Sequence, residues 1–457
     1  MMKVAHLSNS YPKWIAHEIG DMKVSVQIDR NPYKLPIDSL YEMAARINKK
    51  RSFLFVSKIL GKHIARSPQI PHIAGALLGA LYYEKTTGNE LPGKEKWIEA
   101  LIEETEESLH TAYTSVQELQ LSVGEPLVFI GFAETATGLG HSVFDCFKDS
   151  IYMHSTREKL LDEKVTLYFE EEHSHAVDQR CYAPLHYLEN DHTIVLVDDE
   201  ITTGKTALNI IASLQKRFPR KKYVILSLLD WRKQDDIEQV RAVERMYNIV
   251  IEVVSLVSGS IQVEGTPNLE EECIIERKDE EMPEVNWIDV SQLSKPLQPI
   301  AYPSIDSTGL VNKKPYSAMT GRFGLESNHQ MTIEDYCKEV GQYLQGHRSG
   351  RNTLCLGTGE FMYIPMKVSA HMGAGIAYHS TTRSPIFPLS LTDYPIKTRI
   401  QFESPEDPSV MNYLYNTSER HYDEAFIFLE RSQSMERLKS LVCELNMIQK
   451  LHVVCLG

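Results

Sequence analysis

Two adjacent acids, Asp198 and Asp199, end the apolar run Ile194, Val195, Leu196, Val197. After Glu200 and Ile201 comes a small polar turn, Thr202, Thr203, Gly204, Lys205, Thr206. Neighbouring carboxylates can accept both hydrogen bonds of a vicinal diol such as that of ribose. A turn of this composition, opening a helix, offers backbone N–H groups, hydroxyls and a helix N-terminus to one phosphate monoester. Gly204 lets the backbone approach that phosphate closely. A diol acceptor followed at once by a phosphate cradle fits a ribose 5-phosphate.

The same residues admit two rival readings, and each lacks something. Gly204, Lys205 and Thr206 could end a Walker loop, but that loop needs glycine where Asp199 stands. A buried strand with a Thr-capped helix needs one such residue, not two acids and a whole polar turn. No Ser/His/Asp or Cys/His set for covalent catalysis is evident. Lys58, Lys62 and His63 follow an apolar run and could reach an anionic substrate, and a plain surface turn explains them equally well. His173 and His175 lie in an acid-rich stretch with Glu170, Glu171 and Glu172. They could ligate a metal, recognise an acceptor or move a proton, and a solvated loop is the bland alternative.

The elements that must position these residues alternate. Residues 127–132, 150–153, 194–197 and 223–229 read as strands, the third wholly apolar as doubly covered strands are. A helix is expected over 137–147, and Ala207, Leu208, Ile210, Ile211 and Leu214 repeat at helical spacing. Alternating strands and helices imply a mostly parallel, helix-covered α/β sheet, and the acids at a strand end would sit at its ligand-binding edge. Further helices are expected over 37–49, 70–83 and 97–120, and a strand over 53–59. Acidic runs and prolines mark residues 266–304 as a linker, dividing 1–265 from a second, smaller α/β domain over 305–457. A repeat links the two. Glu134 and Arg157 are 23 residues apart around a strand–turn–helix–strand pattern, and Glu360 and Arg383 are also 23 apart around another. The C-terminal half reads either as a diverged copy of the first or as a separate fold. Glu360 and Arg383 would lie at a second site, where only Glu430 stands for the paired acids.

A net charge of −14 speaks against sequence-independent nucleic-acid binding, which depends on basic side chains facing phosphates. The 7 cysteines are dispersed, with no ligand-spaced pair, which suits reduced thiols and a cytoplasmic protein. No secretory signal is visible over residues 1–20. The apolar stretch 70–83 is too short to span a bilayer.

The run VLVDDEITTGKT resembles the signature of type I phosphoribosyltransferases. With FLFVSKILGKHI, GFAETATGLGH and FEEEHSHA it resembles, more narrowly, the orotate-type domain of tellurite-resistance-type gene clusters, which a TRSP domain follows. The sequences LGTGEFMYIP and YHSTTRSPIFP match that second domain. The resemblance implies a Rossmann-like sheet of the type I kind and Mg²⁺-dependent transfer from 5-phosphoribosyl 1-pyrophosphate (PRPP) to a base-like acceptor. That transfer is a displacement at the anomeric carbon through an oxocarbenium-like transition state, and its product would be a nucleoside-like metabolite. It implies that Asp198 and Asp199 hold the ribose, meeting the metal only through water and ribose. Thr202, Thr203, Gly204, Lys205 and Thr206 would hold the 5-phosphate. Ala133, Glu134 and Thr135, through backbone amides, and Arg157 would grip pyrophosphate under a lid at 158–180. The expected partners are PRPP and a small-molecule acceptor, with no nucleic acid and no membrane, and a homodimer is left open. The alternative is a non-catalytic PRPP- or nucleotide-binding regulator.

Overall fold

Apolar five-residue runs form the centre of the first sheet. Leu127–Gly131 is buried at every position, and so are the first five residues of Thr193–Ile201, as strands covered on both faces require. The computed structural model describes residues 14–47, 51–169, 179–269 and 282–457. Its largest sheet has the spatial order Trp14–Ile19, Met22–Arg30, Val250–Glu264, Lys222–Asp230, Thr193–Ile201, Leu127–Gly131, Ser150–His154, Leu325–Glu326. The five strands from Val250–Glu264 to Ser150–His154 run parallel. The remaining three close the edges antiparallel. The α/β sheet read from the sequence is present, and it is mixed at its edges rather than parallel throughout.

Leu127–Gly131 has the next parallel strand, Ser150–His154, on one side and the one after, Thr193–Ile201, on the other. Connections leave these neighbours in opposite directions, so their carboxyl ends border a crevice. Helices cover both faces. Lys205–Arg217 buries Ala207, Leu208, Ile210, Ile211 and Leu214, the stripe its spacing predicts, and burying each large aliphatic side chain contributes about 1.5–3 kcal/mol. On the other face Gln69–Thr87, apolar nearly all round, packs against the sheet and the helix Ala136–Phe144. No helix among the described residues is long and apolar enough to cross a membrane.

A second sheet runs Glu284–Ile288, Lys450–Cys455, Glu424–Leu429, Thr353–Gly357, Ile376–Ser380, with every pair parallel. Its four C-terminal strands follow the spatial order of the first sheet's core: second, first, third, fourth. Glu284–Ile288 takes the fifth place although it precedes the other four in the chain.

Three local expectations are corrected. Residues 37–49 are not one helix: Ile37–Leu40 is a single turn, and Tyr41–Ala45 is a strand paired with Phe53–Ser57. The Tyr41 ring packs edge-on to Phe55 and Trp231, and this burial outweighs the helical propensity of the segment. Residues 97–120 form two helices, Lys94–Glu103 and Glu106–Gln117. Glu104 is left-handed, and the Thr105 side chain caps the second helix. The stretch 266–304 is not only a linker, since Glu284–Ile288 within it is an edge strand of the second sheet.

Candidate functional site

Pairing of Thr193–Ile201 with Leu127–Gly131 stops at Val197 opposite Gly131. Asp198, Asp199 and Glu200 therefore run past the neighbouring strand and stand half-buried at its end. The Asp199 N–H donates to Asp198 Oδ1 at 3.0 Å, which fixes the first carboxylate. Glu200 accepts from Arg51 Nη2 at 2.6 Å. Burial raises its carboxyl, with Arg51 opposing. Gly204 begins the helix Lys205–Arg217 with φ +77°, a backbone that L side chains rarely adopt. Just outside the turn, Arg232 is held by Asp230 through Nε at 2.8 Å and Nη2 at 2.7 Å.

The opposite wall is the loop after Leu127–Gly131. A side chain at Gly131 would place Cβ 2.4 Å from the Ala136 carbonyl and 2.9 Å from Tyr152 Oη, so the tight turn requires glycine. The Ala133–Glu134 peptide is cis. Ala133 donates its N–H to Ser155 Oγ at 2.8 Å and accepts from Gln179 Nε2 at 3.0 Å. This corrects the expectation that Ala133 offers its amide to a ligand. The Glu134 carboxylate turns to the C-terminal half, accepting from Thr382 Oγ1 at 3.1 Å and the Arg383 N–H at 3.3 Å. Thr135 Oγ1 accepts from the buried Lys62 ammonium.

Between these walls lies a cleft of about 410 Å³, within the range of small-molecule sites. Asp198, Asp199, Glu200, Thr202, Thr203, Gly204 and Thr206 line one side, and Phe132, Ala133, Glu134 and Thr135 the other. Arg46, Lys62, Arg157, Arg383 and Ser384 complete it. The cleft thus sets carboxylates near a small polar turn at one wall and several cations around the rest.

Not all sequence candidates meet there. Lys205 is not among the lining residues. Lys58 pairs with Glu42 at 3.1 Å near the surface. His63 is buried, with neither ring nitrogen hydrogen-bonded. Burial, then the Lys62 charge, holds its pKa well below the usual value, so its imidazole is neutral. His173, His175 and much of the expected lid lie outside the described residues. Arg46, Arg51 and Gln179 were not singled out from the sequence: they reach the cleft or its supports through tertiary packing, and no local motif marks them, whereas Ser384 lies within the TRSP motif itself.

Glu360 and Arg383 do not share a second site, which corrects that expectation. Arg383 lines the first cleft. Glu360 is tied to the first half, accepting from Thr156 Oγ1 at 2.6 Å and the Arg157 N–H at 2.8 Å. The strand end equivalent to the paired acids carries Glu430 and Arg431, both buried. There Arg322, 1 % exposed, binds Glu360 and Glu430 at 2.9 Å each, and Arg431 reaches Glu158 at 3.1 Å and Glu406 at 2.9 Å. Tyr316 Oη donates to Glu158. Protein side chains thus fill that place.

The switch-point crevice, the acid pair and the polar turn thus meet in one cleft. Residues 40–260 match a family model described as phosphoribosyl transferase, and residues 319–445 match one described as the TRSP domain C-terminal to it. The chain belongs to the family in which this phosphoribosyl transferase domain is followed by a TRSP domain. No curated protein matches the sequence. Among solved structures, adenine phosphoribosyl transferase from Trypanosoma brucei matches at 10% identity and TM-score 0.30, over 50% of this chain and 82% of that one. Orotate phosphoribosyltransferase from Mycobacterium tuberculosis H37Rv, solved with PRPP, matches at 13% identity and TM-score 0.17, over 41% and 89%. That from Aeropyrum pernix matches at 15% identity and TM-score 0.18, over 30% and 61%.

Proposed function

We propose that the protein transfers ribose 5-phosphate from PRPP to a small, nitrogenous acceptor, releasing pyrophosphate. The observation carrying this reading is that Asp198, Asp199 and the turn residues Thr202, Thr203, Gly204 and Thr206 face an open cleft rather than packed interior. In this reading Asp198 and Asp199 accept the two ribose hydroxyls. Thr202, Thr203 and Gly204, with the helix N-terminus behind them, hold the 5-phosphate, and Thr206 completes that wall. Glu134 and Thr135, with Lys62 and Arg157, form the diphosphate end.

The work of these residues would be to hold the anomeric carbon in line for an incoming nitrogen and to neutralise the departing pyrophosphate. A hydroxyl-bound, oxocarbenium-like ribose gains from the nearby Asp198 and Asp199 charges. Among the described residues no three His, Cys, Asp or Glu side chains gather as a metal cage. Asp198 and Asp199 nonetheless fit a Mg²⁺ held largely by the donor's own oxygens and water, whose contribution would be to offset diphosphate charge.

The test is incubation with PRPP, Mg²⁺ and a metabolite pool. The expected result is acceptor-dependent pyrophosphate release with a product heavier by a ribose 5-phosphate unit. Tight PRPP binding without turnover on any acceptor would instead support a non-catalytic regulator, and absence of PRPP binding would overturn both readings.

A further inference from the structure

We infer that the TRSP half is a diverged copy of the transferase half that completes the first half's site, with Arg383 binding the diphosphate end of the donor. The inference rests on the transferase reading above.

The two halves share more than strand order. Ser155 N–H donates to the Gly131 carbonyl at 3.0 Å, and Thr381 N–H to the Gly357 carbonyl at 2.9 Å. Ser155 Oγ accepts the Ala133 N–H at 2.8 Å, and Thr381 Oγ1 accepts the Gly359 N–H at 2.8 Å. Tyr152 Oη donates to the Thr137 carbonyl and Tyr378 Oη to the Met362 carbonyl, each at 2.8 Å. In both halves the tyrosine crowds the first-strand glycine so that no Cβ fits. Hydrogen bonds matched in this way, at the same position or one residue apart, are what a common ancestral unit leaves behind.

The halves face each other with their equivalent residues exchanged. Glu360 of the second loop holds Thr156 and the Arg157 amide of the first half. Glu134 of the first loop holds Thr382 and the Arg383 amide of the second. This is the reciprocal pattern of a two-fold dimer interface, built here within one chain. Its outcome is asymmetric. The second half's ligand place is filled by Arg322 and its partners, whereas the first remains an open cleft.

Arg383 enters that open cleft from the second half. Its backbone is pinned to Glu134, so it stands on the side of the loop after the first strand, the wall opposite the acid pair and its turn. Among the described residues no acid pairs with its guanidinium, and a fork of unpaired donors at a cleft wall suits a diphosphate. Thr382 and Glu134 are positioning residues. The TRSP motif is also tied to the N-terminal hairpin, because Ile47 N–H donates to the Pro385 carbonyl at 3.1 Å and Phe387 N–H to the Ala45 carbonyl at 2.9 Å.

The full chain and the variants Arg383→Ala, Arg383→Lys, Thr382→Val and Lys439→Ala are titrated calorimetrically with PRPP, pyrophosphate and ribose 5-phosphate, all with Mg²⁺. For Arg383→Ala we expect affinity for PRPP and pyrophosphate to fall about 10- to 100-fold, the worth of hydrogen bonds to a charged group. Ribose 5-phosphate affinity should stay within about twofold, which also reports an intact fold. Arg383→Lys should recover part of the loss and Thr382→Val should lose less, while the exposed Lys439→Ala should match the parent. A parent chain that binds PRPP and keeps that affinity in Arg383→Ala overturns this inference alone. Equal losses for all three ligands also overturn the assignment to the diphosphate end. A parent chain that binds none of the three overturns the transferase reading, and this inference with it.

Discussion

Glu360 accepts the Arg157 N–H at 2.8 Å, so a carboxylate of the TRSP half holds the backbone of a cleft-lining arginine in the transferase half. Burial alone would raise this carboxyl. The Arg322 guanidinium, with the Thr156 and Arg157 hydrogen bonds, instead holds it down at about 2. Glu360→Ala leaves Arg322 buried with one partner fewer and removes the carboxylate that accepts the Arg157 N–H. Removing one member of a buried pair costs about 3–5 kcal/mol. We expect a lower urea midpoint together with a raised KM for PRPP. A midpoint equal to that of the parent would show that the contact contributes nothing.

Asp199→Asn removes one of the two charged acceptors expected at the ribose hydroxyls. Hydrogen bonds to charged groups contribute about 1.5–3 kcal/mol, so donor affinity should drop by about one to two orders of magnitude. Asp199 is half-buried at a strand end, so the denaturation midpoint should barely move. Unchanged calorimetric affinity for PRPP would remove Asp199 from the site.

Gly204→Ala tests the turn. The native φ is +77°, and the added Cβ would sit 3.3 Å from Arg232 Cδ, whose guanidinium Asp230 holds in place. Forcing an L residue into the left-handed region costs about 1–2 kcal/mol, and the Arg232 contact adds to it. Ribose 5-phosphate should bind more weakly than to the parent, with inorganic phosphate following the same trend. If binding of both ligands is retained, the turn does not cradle the phosphate.

The cleft wall from Asp198 to Thr206 was legible because its signal is local: an apolar strand, two acids and a Gly-containing turn within one short stretch. The core strands and the Ala207–Leu214 stripe were legible for the same reason, through burial period. The long strand Val250–Glu264 was not read as one, because Ser255, Ser258, Gly259 and Ser260 interrupt its apolar pattern and its register shifts between Ser258 and Gly259. The equal spacing of Glu134–Arg157 and Glu360–Arg383 hinted at two related units. That spacing could not say that each glutamate serves the other unit, since the exchange is set by how the halves pack. Arg46 and Gln179 carry no motif, and only tertiary structure brings them to the cleft or its supporting loop.

The charge cluster beside Glu430 predicts a pH dependence with a definite sign. Four carboxylates, Glu158, Glu360, Glu406 and Glu430, surround two guanidiniums, Arg322 and Arg431, so negative charge is in excess. Burial, against the opposing Arg322 charge and reinforced by Glu158, pushes the Glu430 carboxyl up to about 7, while the same burial raises Glu406. Between the ordinary carboxylate range and pH 7 the folded chain keeps a proton on Glu430 that the unfolded chain has released. The native state then binds more protons, so stability falls as pH rises through this window. The full effect is a few kcal/mol, taking about 1.4 kcal/mol per unit. Glu430→Gln mimics the neutral acid and can still accept from Arg322, so it should match the parent near pH 5 and exceed it in urea midpoint at pH 8. A parent–variant difference that is the same at both pH values would mean that Glu430 stays ionised and that the excess charge is relieved elsewhere.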